Sequence, residues 1–122
     1  AATPKALNDE DALFYPPLDV NGKLVVRGAT QVWVSRAGGA HWRAVPIGAE
    51  GFPSAVTAAT ADRIYVGTDG GEAFRLDRAG ASWHVAALTT PAQGYMTEIL
   101  VDPVTPTVLW CAVNSGGVSC MG

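Results

Sequence analysis

Short runs of alternating apolar and polar residues, separated by glycine, proline and asparagine, fill most of this chain. Alternation with a period of two is typical of a β-strand that buries one face. No long window keeps the apolar spacing of a helix without a glycine or proline interrupting it. We therefore predict an all-β protein. The predicted strands are Ala12–Leu18, Lys23–Arg27, Gln31–Ser35, Trp42–Pro46, Ser54–Thr60, Arg63–Gly67, Glu72–Leu76, Trp83–Leu88, Tyr95–Val101, Val108–Val113 and Gly117–Met121.

An internal repeat indicates how these strands are grouped. The segment Ser35–Trp42 returns as Leu76–Trp83, and its two tryptophans lie 41 residues apart. A period of about 40 to 45 residues, built from short strands, is typical of a β-propeller blade, which buries its faces by stacking on neighbouring blades. We expect one structural domain with two four-stranded blades and a partial third. The predicted units are 12–50, 51–90 and 91–122, with 1–11 as a lead-in or closing strand.

The number of units raises the question of ring closure. Propellers close with roughly four to eight blades, so three blades cannot close by themselves. We expect two protomers to form a six-bladed ring, that is, a homodimer. The segment Ala2–Leu7 would then complete the third blade, either in its own protomer or in the partner. The alternative is that the chain is a piece of a longer propeller.

Residues of the repeat carry a family resemblance. The first copy has Ser35, Gly39 and Trp42, and the second has Gly80 and Trp83 at the matching glycine and tryptophan positions. They resemble the Asp-box, or bacterial neuraminidase repeat (BNR), family of propellers, whose motif Ser/Thr-x-Asp-x-Gly-x-x-Trp lies on the turn between the third and fourth strands. Both copies lack the aspartate. The resemblance covers roughly residues 12–121 and implies that these five residues build the repeat turns: glycine allows a left-handed conformation, and tryptophan packs between blades.

A propeller of this family implies ligand binding in the clefts between blades. We expect a non-enzymatic, lectin-like module that binds carbohydrate by stacking a sugar on an aromatic ring and bonding its hydroxyl groups. The candidate platforms are Trp33, Tyr65, Tyr95 and Trp110, and the candidate polar partners are Arg36, Asp77 and Arg78. Packing of these aromatic residues in the core is the alternative interpretation. A noncatalytic protein-binding scaffold, or a fragment of a larger propeller, is the alternative function.

A fragment of a sialidase-like glycoside hydrolase is a third hypothesis. Glycoside hydrolysis needs two carboxylates about 5–9.5 Å apart, and Asp69 and Glu72 share one predicted hairpin; a solvated turn is the simpler explanation. Sialidases of the family also use three arginines and a tyrosine nucleophile, but no spacing in this chain singles out such a set. His41 and His84 flank the repeat tryptophans and lie near no nucleophile motif. We predict no catalytic residue and no cofactor.

Composition and charge exclude several other classes of function. Hydrophobic residues make up 48% of the chain and charged residues 16%, which excludes a disordered chain. The net charge is −3, and the eight lysines and arginines form no cluster, so we expect no nucleic-acid partner. No apolar stretch is long enough to span a membrane. The expected partners are therefore a glycan or protein ligand and a second copy of the chain.

The two cysteines bear on the cellular compartment. With a two-residue turn at Ser115–Gly116, Val113 faces Val118 and Cys111 faces Cys120 in a non-hydrogen-bonded pair, where side chains approach closely. A disulfide there would contribute about 2–3 kcal/mol and would indicate a secreted or periplasmic protein. Two buried free thiols are the alternative. Two cysteines without a nearby histidine supply too few ligands for a metal site. The first residues do not have the pattern of a signal peptide, so we expect a mature chain.

Overall fold

The computed structural model describes residues 16–88, 94–105 and 108–113, and the backbone of residues 116–121. All regular structure in this part of the chain is β-strand, and every strand pair is antiparallel, which confirms the all-β prediction. The closing strand predicted at Ala2–Leu7 lies outside the described residues. The strands are β1 (Leu18–Asn21), β2 (Leu24–Gly28), β3 (Val32–Ala37), β4 (Ala40–Val45), β5 (Pro53–Thr60), β6 (Arg63–Thr68), β7 (Ala73–Ala79), β8 (Ser82–Leu88), β9 (Met96–Val101), β10 (Leu109–Val113) and β11 (Gly116–Met121).

The strands form three sheets, each of which follows the chain without a crossover. The first sheet has the order β1-β2-β3-β4, the second β5-β6-β7-β8, and the third β11-β10-β9. Tight turns make this order possible. Between β3 and β4, for example, Gly38 and Gly39 have φ angles of 68° and 102°. Two consecutive positive φ angles are typical of the type I′ turn, which suits the right-handed twist of a hairpin.

The second sheet lies between the other two and is buried on both faces. On one face Ile64 and Val66 of β6 pack against the first sheet, and on the other Tyr65 packs against the third. This explains why β6 is a nearly continuous apolar run instead of an alternating one. The first core contains Leu24, Val26, Val32, Val34, Val45, Ala58, Ile64, Val66, Phe74 and Leu76. The second core contains Ala55, Tyr65, Ala73, Met96, Ile99, Leu109, Cys111 and Val113.

Gly67 allows the second and third sheets to approach each other. A β-carbon built on Gly67 would overlap the side chain of Met96, which is fully buried in the second core. Met96 therefore occupies the space that a side chain at position 67 of β6 would take.

The first strands of successive sheets are joined by polar side chains. The Asn21 amide of β1 donates to the carbonyl oxygens of Ala58 and Ala59 on β5, at 3.0 and 3.2 Å. The Asp19 carboxylate accepts the Ala58 N–H at 2.8 Å. In the same way, the Ser54 hydroxyl of β5 donates to the Met96 carbonyl of β9 at 2.5 Å. The first strands of the three sheets therefore lie side by side, with β1 next to β5 and β5 next to β9. We call this common edge of the three sheets the inner edge.

Ser35 holds the β3–β4 hairpin together. Its side chain is fully buried, its oxygen accepts the N–H groups of Ala37 and Gly39, and its hydroxyl donates to the Ala40 carbonyl. The indole N–H of Trp42 donates to the Gly39 carbonyl at 2.8 Å. Serine and tryptophan thus satisfy the backbone groups of this turn.

Two sequence predictions need correction. Strand β1 begins at Leu18, so Pro16 and Pro17 do not belong to a strand as predicted, because proline cannot donate to the ladder; residues 12–15 of the predicted strand lie outside the described part. The second correction concerns the pairing of β10 with β11, where Cys111 faces Val118 and not Cys120. The observed register differs from the predicted one by two residues. Such a shift keeps every side chain on the same face, so the apolar pattern could not distinguish the two registers.

Replacement of Ser35 by alanine tests the role of this residue in the hairpin. The variant leaves buried backbone groups of the turn without their partner, so we expect the free energy of unfolding to fall by about 1–3 kcal/mol. Urea denaturation measures the change. Ser82→Ala, at an exposed position of β8, is the matched control and should change stability by less than about 0.5 kcal/mol. Equal losses in the two variants would contradict the assigned role.

Candidate functional site

A recess of about 410 Å³ lies between the second and third sheets, near their shared inner edge. We call it the inner cleft. Its volume falls in the range of about 300–1,000 Å³ that is common for small-molecule sites. The lining residues are Thr57, Ala58, Ala59, Thr60, Arg63, Tyr65, Leu100 and Val101.

Charged side chains form a network beside the inner cleft. Asp77 on β7 accepts from Arg63 Nε at 2.6 Å and from Arg75 Nε at 2.8 Å. The pairing of β6 with β7 brings them together, because Arg63 faces Asp77 and Tyr65 faces Arg75 across the two strands. All four residues therefore lie on the face of the second sheet that points to the third. About half of the Arg63 side chain is exposed (46%) and can reach a ligand.

The ion pairs of the network favour the charged forms of Asp77 and Arg63. Burial by itself would raise the pKa of Asp77, but the hydrogen bonds and charges of Arg63 and Arg75 outweigh it and hold that pKa below the ordinary value. The bond to Asp77, opposed by desolvation, likewise raises the pKa of the Arg63 guanidinium. The ion pair therefore keeps Asp77 and Arg63 charged beside the cleft.

Two of the predicted ligand residues, Tyr65 and Asp77, meet at this cleft. Tyr65 is only 6% exposed, so most of its ring belongs to the core and an edge reaches the cleft. The sequence analysis did not include Arg63 and Arg75 among the site residues. The signal was present in the spacing: Arg63 with Tyr65, and Arg75 with Asp77, are each two residues apart and so share a face of adjacent strands.

The other predicted ligand residues lie elsewhere. Arg78 lies on the opposite face of the second sheet from Asp77 and pairs with Asp62 at 2.5 Å. Trp33 is half-buried on the face of the first sheet that points away from the second. Trp110 is 48% exposed on the third sheet and donates from its indole N–H to Asp102 at 2.7 Å. The predicted ligand residues therefore do not form one site.

Arg36 belongs to a second, smaller cleft between the first and second sheets. Its volume is about 190 Å³, and it is also lined by His41, Arg43 and Trp83. Arg43 already donates to the Ala81 carbonyl at 2.9 Å, which joins the two sheets across this cleft. His41 has a positive φ of 56°, an uncommon conformation for a residue other than glycine.

The two repeat tryptophans, Trp42 and Trp83, lie on equivalent faces of the first and second sheets, but the residues opposite them in their hairpins are not equivalent. Trp83 packs on the first core, whereas Trp42 lies on the face of the first sheet that points away from the second. Trp42 faces Ser35 across its hairpin, while Trp83 faces Arg78, two residues further along than the repeat implies. The turn after β7 contains Gly80 and Ala81, with a φ of 64° at the glycine.

Asp69 and Glu72, the two acids considered for glycoside hydrolysis, both accept hydrogen bonds from backbone N–H groups. The Glu72 carboxylate accepts the N–H groups of Glu50 and Gly51 at 3.1 and 2.9 Å, and the Thr68 hydroxyl at 3.1 Å. Asp69 accepts the Phe52 N–H at 3.0 Å. The two acids thus tie the loop before β5 to the β6–β7 hairpin, which is the structural alternative to a catalytic role.

Within the described ranges, no three histidine, cysteine, aspartate or glutamate side chains are grouped so that they could hold a metal ion. The same part of the chain contains no helix of the length and apolarity needed to cross a bilayer. Comparisons with protein-family models, with curated proteins and with solved structures found no match to this chain.

Acid titration tests the structural role of Glu72. Burial would raise its pKa, but the bonds from Gly51, Glu50 and Thr68 lower it below the ordinary value. A lowered pKa in the folded state stabilises the fold above the unfolded pKa of about 4.3, and this stabilisation disappears as the pH falls through the folded pKa. We expect Glu72→Gln to lose about 1–2 kcal/mol at pH 7 and to show a weaker loss on acidification. Urea unfolding from pH 7 to pH 3 measures both.

Glu50→Gln is the matched control for this titration. It changes an exposed glutamate of the same loop, and only its backbone N–H contacts Glu72. The control should keep both the stability at pH 7 and the acid-dependent loss of the wild-type protein. The structural role is wrong if Glu72→Gln behaves like Glu50→Gln.

Proposed function

We propose that this protein is a non-enzymatic, lectin-like module that binds carbohydrate in the inner cleft. The observation that carries the proposal is the Arg63–Asp77–Arg75 network beside a recess of about 410 Å³ with an apolar wall. Its three sheets are proposed to be blades of an Asp-box-like propeller. The meander order and the side-by-side first strands support this assignment.

The chemistry of the inner cleft suits a sugar better than a purely apolar ligand. Guanidinium groups donate and carboxylates accept, so the network offers both kinds of partner to a ring of hydroxyl groups. Val101, which packs against the second core, supplies an apolar surface opposite, against which the C–H face of a sugar can pack. Because Asp77 holds both arginines in place, their donors are oriented before a ligand binds, which reduces the entropic cost of binding.

The same network argues for binding rather than hydrolysis. A glycoside hydrolase needs one carboxylate with a raised pKa as acid and a second as base or nucleophile. Asp77 is held ionised by two arginines, and the inner cleft has no carboxylate among its described lining residues. Asp69 and Glu72, the sequence candidates, hold backbone N–H groups instead.

Export of the protein is part of the proposal. Cys111 is buried on β10, and Cys120 belongs to the neighbouring strand β11, at a bulge where Ser119 pairs with Trp110 and Met121 with Leu109. Neighbouring strands keep two cysteines within the range of a disulfide. Such a bond persists in an oxidising compartment, so we propose that the protein is secreted or periplasmic.

The carbohydrate proposal is tested by glycan-array screening, followed by calorimetric titration of the bound glycans. We expect Arg63→Gln to weaken the affinity at least about tenfold, because a hydrogen bond to a charged group contributes about 1.5–3 kcal/mol and tenfold corresponds to about 1.4 kcal/mol. Arg78→Gln is the matched control, since it breaks a similar ion pair on the opposite face of the same sheet. Its affinity should stay within about twofold of wild type.

Two results would contradict the proposal in different ways. If the folded wild-type protein retains no glycan, carbohydrate binding is wrong. If Arg78→Gln weakens binding and Arg63→Gln does not, the protein binds sugar at another place than the inner cleft.

The disulfide is tested by thiol counting on protein exported to the periplasm of an expression host. Iodoacetamide added under denaturing conditions without reductant should leave the mass unchanged, because both cysteines are oxidised. The same treatment after reduction should add two alkyl groups, one for each cysteine in the chain, and serves as the control. Two additions without reductant would show free thiols and remove this support for export.

A further inference from the structure

The small cleft between the first and second sheets collects basic side chains. Arg36, His41 and Arg43 line it, together with Trp83, and no aspartate or glutamate is among its described lining residues. We call it the basic cleft. The chain as a whole has a net charge of −3, so this local excess of basic groups is a property of the fold and not of the composition.

Strand pairing explains how the three basic residues meet. Arg43 of β4 faces Val34 of β3, and Arg36 and His41 are each two residues from this pair, on the side of the β3–β4 turn. Side chains two residues apart in a strand share a face, and Val34 is buried in the first core. The basic side chains therefore lie on the face of the first sheet that points to the second, where they line the cleft.

The basic groups of the cleft are not neutralised within the described part of the chain. Arg36 and His41 have no side-chain bond to a described residue, and Arg43 bonds only a carbonyl oxygen, that of Ala81. Arg78, on the neighbouring face of the second sheet, is by contrast paired with Asp62. Like charges that face each other on adjacent strands destabilise a sheet. An anion bound between them would remove this cost.

Two features prepare the basic cleft for a ligand. The bond from Arg43 Nη1 to the Ala81 carbonyl, at 2.9 Å, fixes that side chain across the two sheets and leaves its other N–H donors available. A donor that is oriented in advance lowers the entropic cost of binding. Trp83 forms a wall that is packed on the first core. His41, at the mouth of the turn, keeps a positive φ of 56°, a conformation that occurs more often at functional sites.

We propose that the basic cleft binds the sulfate or phosphate group of an anionic ligand. A tetrahedral oxoanion offers several acceptor oxygens, and arginine binds such groups through pairs of parallel N–H donors. The cleft volume of about 190 Å³ lies below the range common for whole small molecules, so the charged group enters and the rest of the ligand stays outside. This site lies on the other side of the second sheet from the inner cleft and does not depend on carbohydrate binding there.

The experiment is a nuclear magnetic resonance titration of the isotope-labelled chain with sodium sulfate and with sodium phosphate, at an ionic strength held constant with sodium chloride. The signals to follow are the indole N–H groups of the four tryptophans. We expect the Trp83 signal to shift and to saturate with either anion. The Trp110 signal should not move, because its indole bonds Asp102 on the third sheet.

Two further ligands identify the source of the anionic group. Glucose 6-sulfate that binds at least about tenfold more tightly than inorganic sulfate shows a group carried on a sugar, and equal affinities show a free anion. Both results support the proposed site. Glucose, which has no charge, should leave the Trp83 signal in place.

Arg36→Gln tests the site directly. A hydrogen bond to a charged group contributes enough that its loss should weaken the affinity for sulfate at least about tenfold. The fold should not change, because the Arg36 side chain bonds no described residue. Arg36→Lys keeps the charge without the paired donors and should give an intermediate affinity.

Lys23→Gln is the matched control. It removes the same charge from an exposed position in the turn between β1 and β2 of the same sheet, outside the basic cleft. Its affinity for sulfate should stay within about twofold of wild type, since salt screens an exposed charge that does not touch the ligand.

Three results would overturn the proposal. The first is a Trp83 signal that does not saturate with sulfate or phosphate, or that responds in the same way to sodium chloride alone. The second is an equal loss of affinity in Arg36→Gln and Lys23→Gln. The third is a saturating shift at Trp110 with none at Trp83. A saturating shift at Trp83 in a protein that retains no glycan on an array leaves this site standing and contradicts only the carbohydrate proposal for the inner cleft.

Discussion

The packing of the second sheet between its two neighbours is the interaction on which the rest of this structure depends. Both faces of β6 are buried, with Ile64 and Val66 on one side and Tyr65 on the other. A sheet with two apolar faces has no stable arrangement alone in water, because burial of apolar area is the main favourable term in folding. The first and third sheets each bury one face against the second sheet.

Polar side chains supply the order that apolar packing alone does not specify. Asn21, Asp19 and Ser54 reach from one first strand to the backbone of the next, and so fix how the sheets are placed relative to one another. Ser35 bonds the backbone of the β3–β4 turn, and Glu72 bonds the backbone of the loop before β5. The buried backbone groups of these segments are thus satisfied by side chains of the same chain, which stabilises the hairpins.

The inner cleft was only partly predictable from the sequence. Tyr65 and Asp77 could be named because aromatic and acidic residues in strands are natural candidates for a sugar site. Whether they lie close to Arg63 depends on the β6–β7 register, which places Arg63 opposite Asp77 and Tyr65 opposite Arg75. The same register separates Asp77 from Arg78, since neighbours in a strand point to opposite faces. A list of residue types therefore could not define the site, and its polar core was found only with the strand pairing.

By itself the sequence determined the class of the fold, the number of strands in each unit and most of their positions. Period-two alternation and glycine turns depend on residues that are close in the chain, so they can be predicted from a single sequence. The tertiary structure decided the β10–β11 register and the grouping of charges at the cleft. A register shift by two residues preserves the apolar pattern, so the sequence cannot distinguish the two registers. Spacing by two places Arg63 with Tyr65 and Arg75 with Asp77 on one face of each strand, but only the β6–β7 pairing shows which residues meet.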